Sequence, residues 1–292
     1  MGQCVCSEPP LHTDHNEWHI EGICTNNDYS SHQGAFPATK RSTISSISSH
    51  SIKYSNGALY EGTVVNEVPH GQGQYTYSNG SIYKGNWRNG KACGIGTFMH
   101  VDGSRYEGEW KDNLREGKGC EISKSNNTRY EGNFHNGQKH GLGHLYLADG
   151  SHYVGEFKND SIDGFGNYYW KDGRTYSGDW KNNKLDGEGQ ATWPDGRVYV
   201  GQYEKNKKCG QGVLKWPDGR IYAGGWFEGK QHSTGCFIDA KGIERTGLWK
   251  NGVLLEWIDV FSITSKSERD MLKSTSTDEL QTLDSLKAQN SA

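Results

Sequence analysis

A tyrosine recurs at Tyr60, Tyr83, Tyr106, Tyr130, Tyr153, Tyr176, Tyr199 and Tyr222, at intervals of 23 residues with a single interval of 24. Two residues after each tyrosine stands a glycine (Gly62, Gly85, Gly108, Gly132, Gly155, Gly178, Gly201, Gly224), and thirteen residues after it another (Gly73, Gly96, Gly119, Gly143, Gly166, Gly189, Gly212, Gly235). Four residues after it comes a large side chain, Trp87, Trp110, Phe134, Phe157, Trp180, Tyr203 and Trp226, with Val64 the one smaller member. A fixed period of this length means that one supersecondary unit is repeated, each copy burying its apolar face against the next.

Tyrosine, glycine and the bulky residue alternate along the chain, which places them on one face of a β-strand. A second run, Gly187-x-Gly189-x-x-x-Trp193, alternates in the same way. Between the strands lie two kinds of turn. One reads Ser78-Asn79-Gly80, Asp102-Gly103, Asp149-Gly150, Asp172-Gly173, Trp193-Pro194-Asp195-Gly196 and Trp216-Pro217-Asp218-Gly219, where Gly and Asn tolerate positive φ and Pro presets a turn. The other connection, as in Trp87-Arg88-Asn89-Gly90-Lys91-Ala92-Cys93-Gly94, is expected to be longer and also carries Asn and Gly in most copies. Each repeat is thus predicted to be one β-hairpin, chained to the next as a meander.

A glycine inside a strand ordinarily weakens it, so glycine at three fixed places per repeat implies close approach of a ring or a neighbouring backbone. The aromatic rings are expected to lie over these gaps. Each would bury about 150–250 Å², contributing a few kcal/mol at roughly 25 cal/mol per Å², enough for a sheet without a second layer. At about 4.8 Å between strands, eight hairpins predict a rod on the order of 80 Å long.

The motif Tyr-x-Gly-x-Trp-x-x-Gly-x-x-x-Gly-x-Gly, over eight copies and about two thirds of the chain, resembles the MORN (membrane occupation and recognition nexus) repeat. The resemblance implies an all-β fold: an elongated, single-layer antiparallel sheet with an aromatic-lined groove, used for scaffolding, for binding partner segments and for contact with membranes. The copies depart from the motif in two places. Asn126-Asn127 brings an added residue into the third repeat, predicting a kink, and Ser233 and Asp239 replace glycine and an aromatic in the eighth, predicting a decaying cap.

Aromatics make up 12% of the residues against 32% for all hydrophobics, so aliphatic side chains are too scarce for a thick core. The net charge is −3, with −3 in residues 1–52 (two basic, five acidic) and −3 in residues 253–292 (four basic, seven acidic), leaving about +3 on the repeats. That is too weak for a nucleic-acid-binding face. Lys205, Lys207 and Lys208 are the one close basic cluster within the repeats and the candidate contact for acidic lipids such as phosphoinositides. Seven cysteines form no CxxC pair; Cys93 and Cys209 share one repeat position, Cys120 and Cys236 another, as residues filling sheet slots in a reducing compartment. With no apolar run of transmembrane length and no secretory signal, a cytoplasmic protein is expected, peripheral on the cytoplasmic face of a membrane such as the plasma membrane or cell cortex.

The repeats divide the chain into three parts: residues 1–50, Ser- and His-rich and predicted to be a disordered tether; residues 51–252, the repeat rod; and residues 253–292, a mostly irregular tail. The rod begins with a half-repeat (Ile52, Tyr54, Asn56-Gly57) and closes with another, Thr246-Gly247-Leu248-Trp249, in which Arg245 takes the tyrosine slot. The apolar run Leu254–Phe261 is expected to cover the last strand edge, or to pair two chains as a homodimer. Ser276 and Glu279 suit a capping box for a short helix carrying Leu280, Leu283 and Leu286.

No catalytic residues, cofactor or metal site are expected. The Gly-x-Gly pairs lack the further glycine or the Gly-Lys-Ser/Thr ending of a phosphate loop, and the spacing of His135, His140, His144 and His152 matches no familiar zinc signature. Acidic residues in the turns lack the burial that acid–base work requires. The sequence therefore reads as a non-enzymatic scaffold or adaptor, with Trp87, Trp110, Tyr153, Tyr176, Trp180 and Trp226 as the candidate partner groove. The alternative is a lipid-recognition sheet or a regulatory subunit of a separate enzyme. At the start of the chain, Met1-Gly2-Gln3-Cys4-Val5-Cys6-Ser7 resembles an N-myristoylation signal, with Gly2 the acyl acceptor and Cys4 and Cys6 sites for palmitate. A single myristoyl chain binds membrane only marginally and a second makes the anchor stable.

Overall fold

The computed structural model describes residues 48–258. Along the chain run β1 (Ser48–Lys53), β2 (Leu59–Val65), β3 (Val68–Thr76), β4 (Ile82–Arg88), β5 (Lys91–Met99), β6 (Arg105–Lys111), β7 (Leu114–Ser123), β8 (Thr128–His135) and β9 (Gln138–Tyr146). They continue as β10 (His152–Lys158), β11 (Ser161–Tyr169), β12 (Thr175–Lys181), β13 (Lys184–Thr192), β14 (Val198–Glu204), β15 (Lys207–Lys215), β16 (Ile221–Phe227), β17 (Lys230–Ile238), β18 (Glu244–Lys250) and β19 (Val253–Ile258). Every strand pairs antiparallel with its neighbours in sequence, giving one open 19-stranded sheet. Among the described residues there is no helix. The lipidation residues Gly2, Cys4 and Cys6, residues 1–47 of the expected tether and the capping-box segment lie outside the described residues, while residues 48–50, expected to belong to the tether, open β1.

Each hairpin within a repeat closes on two consecutive residues with positive φ, such as Asn182 (49°) and Asn183 (63°) or Asn89 (51°) and Gly90 (76°). These are type I′ turns, whose twist matches that of the strands and which favour Asn, Asp and Gly. The second turn residue also reaches the preceding hairpin. Asn183 donates its N–H to the Ile162 carbonyl at 2.9 Å while its Oδ1 accepts from Ile162 N at 2.8 Å, and Asn113 does the same with Ala92. One Asx residue thus sets a local turn and staples two repeats. The two connections are reversed in length from the expectation: the links between repeats, expected to be the tight turns, are five-residue loops, as where Trp193 N donates to Arg197 O and Gly196 N to Trp193 O, both at 2.9 Å.

A single row of glycine crosses the sheet, one from each strand between β2 and β18. Gly166 faces Gly178, Gly178 faces Gly189 and Gly189 faces Gly201, and the pattern extends to Gly62 on one side and Gly247 on the other. The repeat tyrosines lie over this row, as the strand glycines require. A Cβ at Gly189 would stand 2.2 Å from Tyr176 Oη, and one at Gly166 would stand 2.2 Å from Tyr153 Oη. The third repeated glycine has a different cause from the one expected. Gly71, Gly94, Gly117, Gly141 and Gly210 have φ between 53° and 69°, so a β-bulge with left-handed backbone demands glycine there.

Ser233 occupies that bulge position in the last full repeat with φ 64°. Ser233→Gly is expected to raise stability by about 1 kcal/mol, the order of the left-handed penalty for an L-residue, read as a higher urea midpoint at unchanged slope. The added residue of the third repeat produces no change of register: Gly119 still faces Gly132, and Ser123 pairs with Thr128 as one extra rung before a tightened turn. The sheet also runs past the expected boundary at 252. Val253–Ile258 forms β19 and pairs along β18, with Trp257 edge-on to Trp249 at 5.9 Å.

Candidate partner-binding surface

The tyrosines and bulky residues of successive repeats interlock edge to face across the glycine row. Trp180 meets Tyr176 of its own strand at 5.4 Å and 88° and Tyr153 of the preceding repeat at 5.5 Å and 77°. Tyr203 and Trp226 extend the same alternation toward β19. Pairs of this geometry contribute roughly 0.5–1.5 kcal/mol each beyond the area they bury. Tyr176 Oη donates to Asp179 O at 3.0 Å and Trp180 Nε1 to Gly166 O at 3.3 Å, so the polar ends are bonded to backbone. Burial pushes the Tyr153 and Tyr176 hydroxyls well above the ordinary tyrosine range.

This packing corrects the expectation for the groove residues. Tyr153 and Tyr176 are 0% and 1% exposed, and Trp87, Trp180 and Trp226 are each 7% exposed, so these five rings are the core of the sheet. Trp110 alone of the six is half-buried. Mutual edge-to-face contact closes the gaps through which a partner would reach them.

Rings that do reach solvent on the same face are Trp170, Trp193 and Trp216, half-buried and packed on that core. Each begins a five-residue loop of the form Trp-x-Asp-Gly-Arg, and each is covered by the arginine that ends it: Arg174, Arg197 and Arg220 stand 5.0, 5.5 and 5.3 Å above Trp170, Trp193 and Trp216. Arginine Nε donates to the loop aspartate Oδ2 at 2.8 Å in all three, which fixes the guanidinium plane. Successive loops also lie close at their tips: a Cβ at Gly173 would stand 3.2 Å from Pro194 Cγ, and one at Gly196 3.3 Å from Pro217 Cγ. The sequence signal for this ladder is the Trp-x-Asp-Gly-Arg spelling of three consecutive loops, legible as a turn but not as a surface.

The three lysines are not one patch. Lys205 and Lys207 lie in the exposed turn region, paired with Glu204 and Glu228 respectively. Lys208, one residue on, points to the aromatic face. Its Nζ sits 4.7 Å from the Trp193 ring, 4.6 Å from Tyr199 and 4.8 Å from Trp226, and among the described residues it makes no ion pair. Burial, then the nearby Arg197 charge, lowers its pKa to about 8. Strand alternation separates Lys207 from Lys208, which places a common anionic lipid contact for all three out of geometric reach.

The family model of the MORN repeat matches eight consecutive segments, residues 60–82, 83–105, 106–128, 130–152, 153–173, 176–196, 199–219 and 222–243. The chain belongs to the MORN-repeat family. MORN repeats are generally protein- or membrane-binding repeats and are not typically catalytic. No curated protein matches the sequence. Among solved structures, the TCP domain of Drosophila melanogaster SAS-4 bound to a proline-rich motif of Ana2 is similar at TM-score 0.34 and 14% identity, covering 64% of this chain and 96% of that one. The TCP10c domain of Drosophila melanogaster Sas-4 aligns at TM-score 0.32 and 14% identity over 61% and 99%, and a streptogramin B lyase at 0.16 and 11% over 68% of each. At these scores the likenesses carry nothing about function.

The opposite face of the MORN sheet holds a separate cluster at its middle. His144 stacks on Tyr146 at 3.9 Å, His152 stacks on Tyr169 at 4.6 Å, and Arg129 lies 5.5 Å over Tyr146 while pairing with Glu131. Among the described residues no three metal-ligating side chains converge. Burial first, then the His152 and Arg129 charges, lowers the His144 pKa to about 4. Since the unfolded imidazole titrates near 6.5, the unfolded chain takes up this proton first as pH falls. The stability contributed by neutral His144 is therefore complete above about pH 6.5 and lost as pH falls toward 4. Urea titrations of the native chain and of His144→Phe should show stabilities that diverge across that window, with the native chain declining more steeply.

Proposed function

We propose that this MORN protein is a non-enzymatic scaffold or adaptor that binds another protein along its aromatic face while its N-terminus is tethered to the cytoplasmic side of a membrane, serving membrane or cytoskeleton organisation. The observation that carries the reading is the Trp170–Trp193–Trp216 row: large rings half-open to solvent, each with a charged guanidinium held above it, on a core rigid enough to present them without reorganisation. Exposed Trp and Arg are the side chains that most often anchor interfaces. Gly2, Cys4 and Cys6 supply the tether in this reading, two acyl signals being what stable anchoring requires.

Fractionation of full-length protein in its native cell tests the tether. The native chain is expected with membranes, Gly2→Ala in the soluble fraction, and Cys4→Ser/Cys6→Ser bound weakly and reversibly. An unmodified N-terminal peptide by mass spectrometry would overturn it. Proximity labelling tests the surface: partners labelled by the native chain should be lost on Trp193→Ala/Arg197→Ala, two changes outside the buried spine. Salt-sensitive sedimentation of the Gly2→Ala protein with phosphoinositide vesicles would instead favour direct lipid recognition by the sheet.

A further inference from the structure

We infer that the Trp-x-Asp-Gly-Arg ladder and Lys208 together form a docking strip for an acidic segment of a partner protein held in the polyproline II conformation, with a carboxylate at every third residue. The inference rests on the reading of the aromatic face as a protein-binding surface and specifies what that surface takes.

Pitch selects the conformation. Trp170, Trp193 and Trp216 directly follow β11, β13 and β15, so adjacent rungs are two strands, about 9.6 Å, apart. A polyproline II helix repeats every three residues, at about 9.3 Å. Over the two intervals of the ladder the mismatch is about 0.6 Å, small enough for one residue in three to face each rung. An α-helix would need about 6.4 residues per rung, which is not a whole number. In an extended strand the residue three places on, which would reach the next rung, points away from the face that the first one touches.

Charge selects the side chain. Both oxygens of each loop aspartate are engaged by its own arginine: Asp195 Oδ1 accepts from Arg197 N at 3.1 Å and Oδ2 from Arg197 Nε at 2.8 Å, and Asp172 and Asp218 repeat the pattern. The Nη edges of the three guanidiniums make no hydrogen bond among the described residues and remain as donors. Lys208 adds an ammonium enclosed by three rings and without an ion pair among the described residues. A carboxylate set down beside it would supply the counter-charge that the fold does not. Beside these charges the half-buried indoles add apolar surface, and aromatic-lined surface is what polyproline II ligands dock on.

The test uses the full-length chain and a fluorescein-labelled peptide of four Glu-Pro-Pro triplets, read by polarisation. Two control peptides vary one property each: four Lys-Pro-Pro triplets reverse the charge, and four Glu-Gly-Ser triplets keep the charge but abandon the conformation. The Glu-Pro-Pro peptide is expected to bind about tenfold tighter than either control, and to weaken with salt. Lys208→Met, which keeps the apolar stem in its cage, and Arg197→Gln should each weaken it about fivefold or more, as for loss of a charge-assisted hydrogen bond, with thermal unfolding confirming that both variants fold. Equal binding of the Glu-Gly-Ser peptide would overturn the conformational part, equal binding of Lys-Pro-Pro the charge part, and unchanged affinity in both variants the location. If no peptide binds while labelled partners still depend on Trp193, the docking strip falls and the scaffold reading stands.

Discussion

Gly189→Ala is expected to destabilise the protein by about 3 kcal/mol, the upper end of what overpacking costs. The new Cβ would stand 2.2 Å from Tyr176 Oη, 2.4 Å from its Cζ and 2.5 Å from its Cε2. The ring has nowhere to go, because its hydroxyl is bonded to Asp179 O and its faces are closed by Trp180 at 5.4 Å and Tyr203 at 5.4 Å. Backbone strain is not the cause, since Gly189 has no left-handed φ. Clash therefore makes a specific demand on the double mutant Gly189→Ala/Tyr176→Leu. Once the ring is gone the methyl should cost little, so the two losses should be strongly less than additive in a urea-unfolding cycle. Additive losses would mean that Gly189 is required for some reason other than the tyrosine above it. Gly219→Ala serves as the contrast: nothing lies within 4 Å of its Cβ and φ is +89°, so only the left-handed penalty of about 1–2 kcal/mol applies and no partner substitution should relieve it.

Removal of one spine ring, Trp180→Ala, should cost about 4 kcal/mol, within the range for deleting a buried Trp. Trp180 is the shared member of contacts with Tyr153, Tyr168 and Tyr176, and its indole N–H is bonded to Gly166 O. Stability in a repeat array is close to a sum of units and nearest-neighbour interfaces. The damage should therefore be local. Amide hydrogen exchange is expected to show protection falling most in β11, β12 and β13 and far less near β3 or β18. Trp180→Phe should be much milder, because Phe134 and Phe157 fill the same slot in their own repeats with the same edge-to-face contacts. A uniform loss of protection along the whole sheet would contradict a spine built from nearest-neighbour contacts.

Much of this molecule was determined by the sequence alone. Asn, Asp and Gly at most of the hairpin tips favour type I′ turns, because those residues accept positive φ at low cost, and Glu67, Lys205 and Glu228 take the same backbone in the remaining copies. Once the turns are set, register follows, and the constant spacing of Tyr and Gly brings the glycines into one row with rings above them. At the start of the rod β1 pairs with β2 around Ile52, whereas the segment from Thr246 is not a half-repeat but the first strand of a complete hairpin, β18 with β19.

Tertiary structure decided what alternation cannot. Alternation assigns Tyr153, Tyr176 and Trp180 to one face, but whether that face is open depends on how closely rings of adjacent repeats approach. Their edge-to-face contacts near 5.4 Å close it. On that face the rings that solvent reaches are the loop tryptophans rather than most of the spine, and their exposure follows from their place at the strand ends rather than from their residue type. The third repeated glycine needed the bulge to explain it, since a steric gap and a left-handed backbone leave the same letter in the sequence. Lys208 parted from Lys205 and Lys207 because the hairpin turns between Lys205 and Lys207, and the strand then sends successive side chains to opposite faces. Local rules fix turns and pairing, since they act within one hairpin; burial is a property of rings from several hairpins meeting in space, and only the assembled sheet sets it.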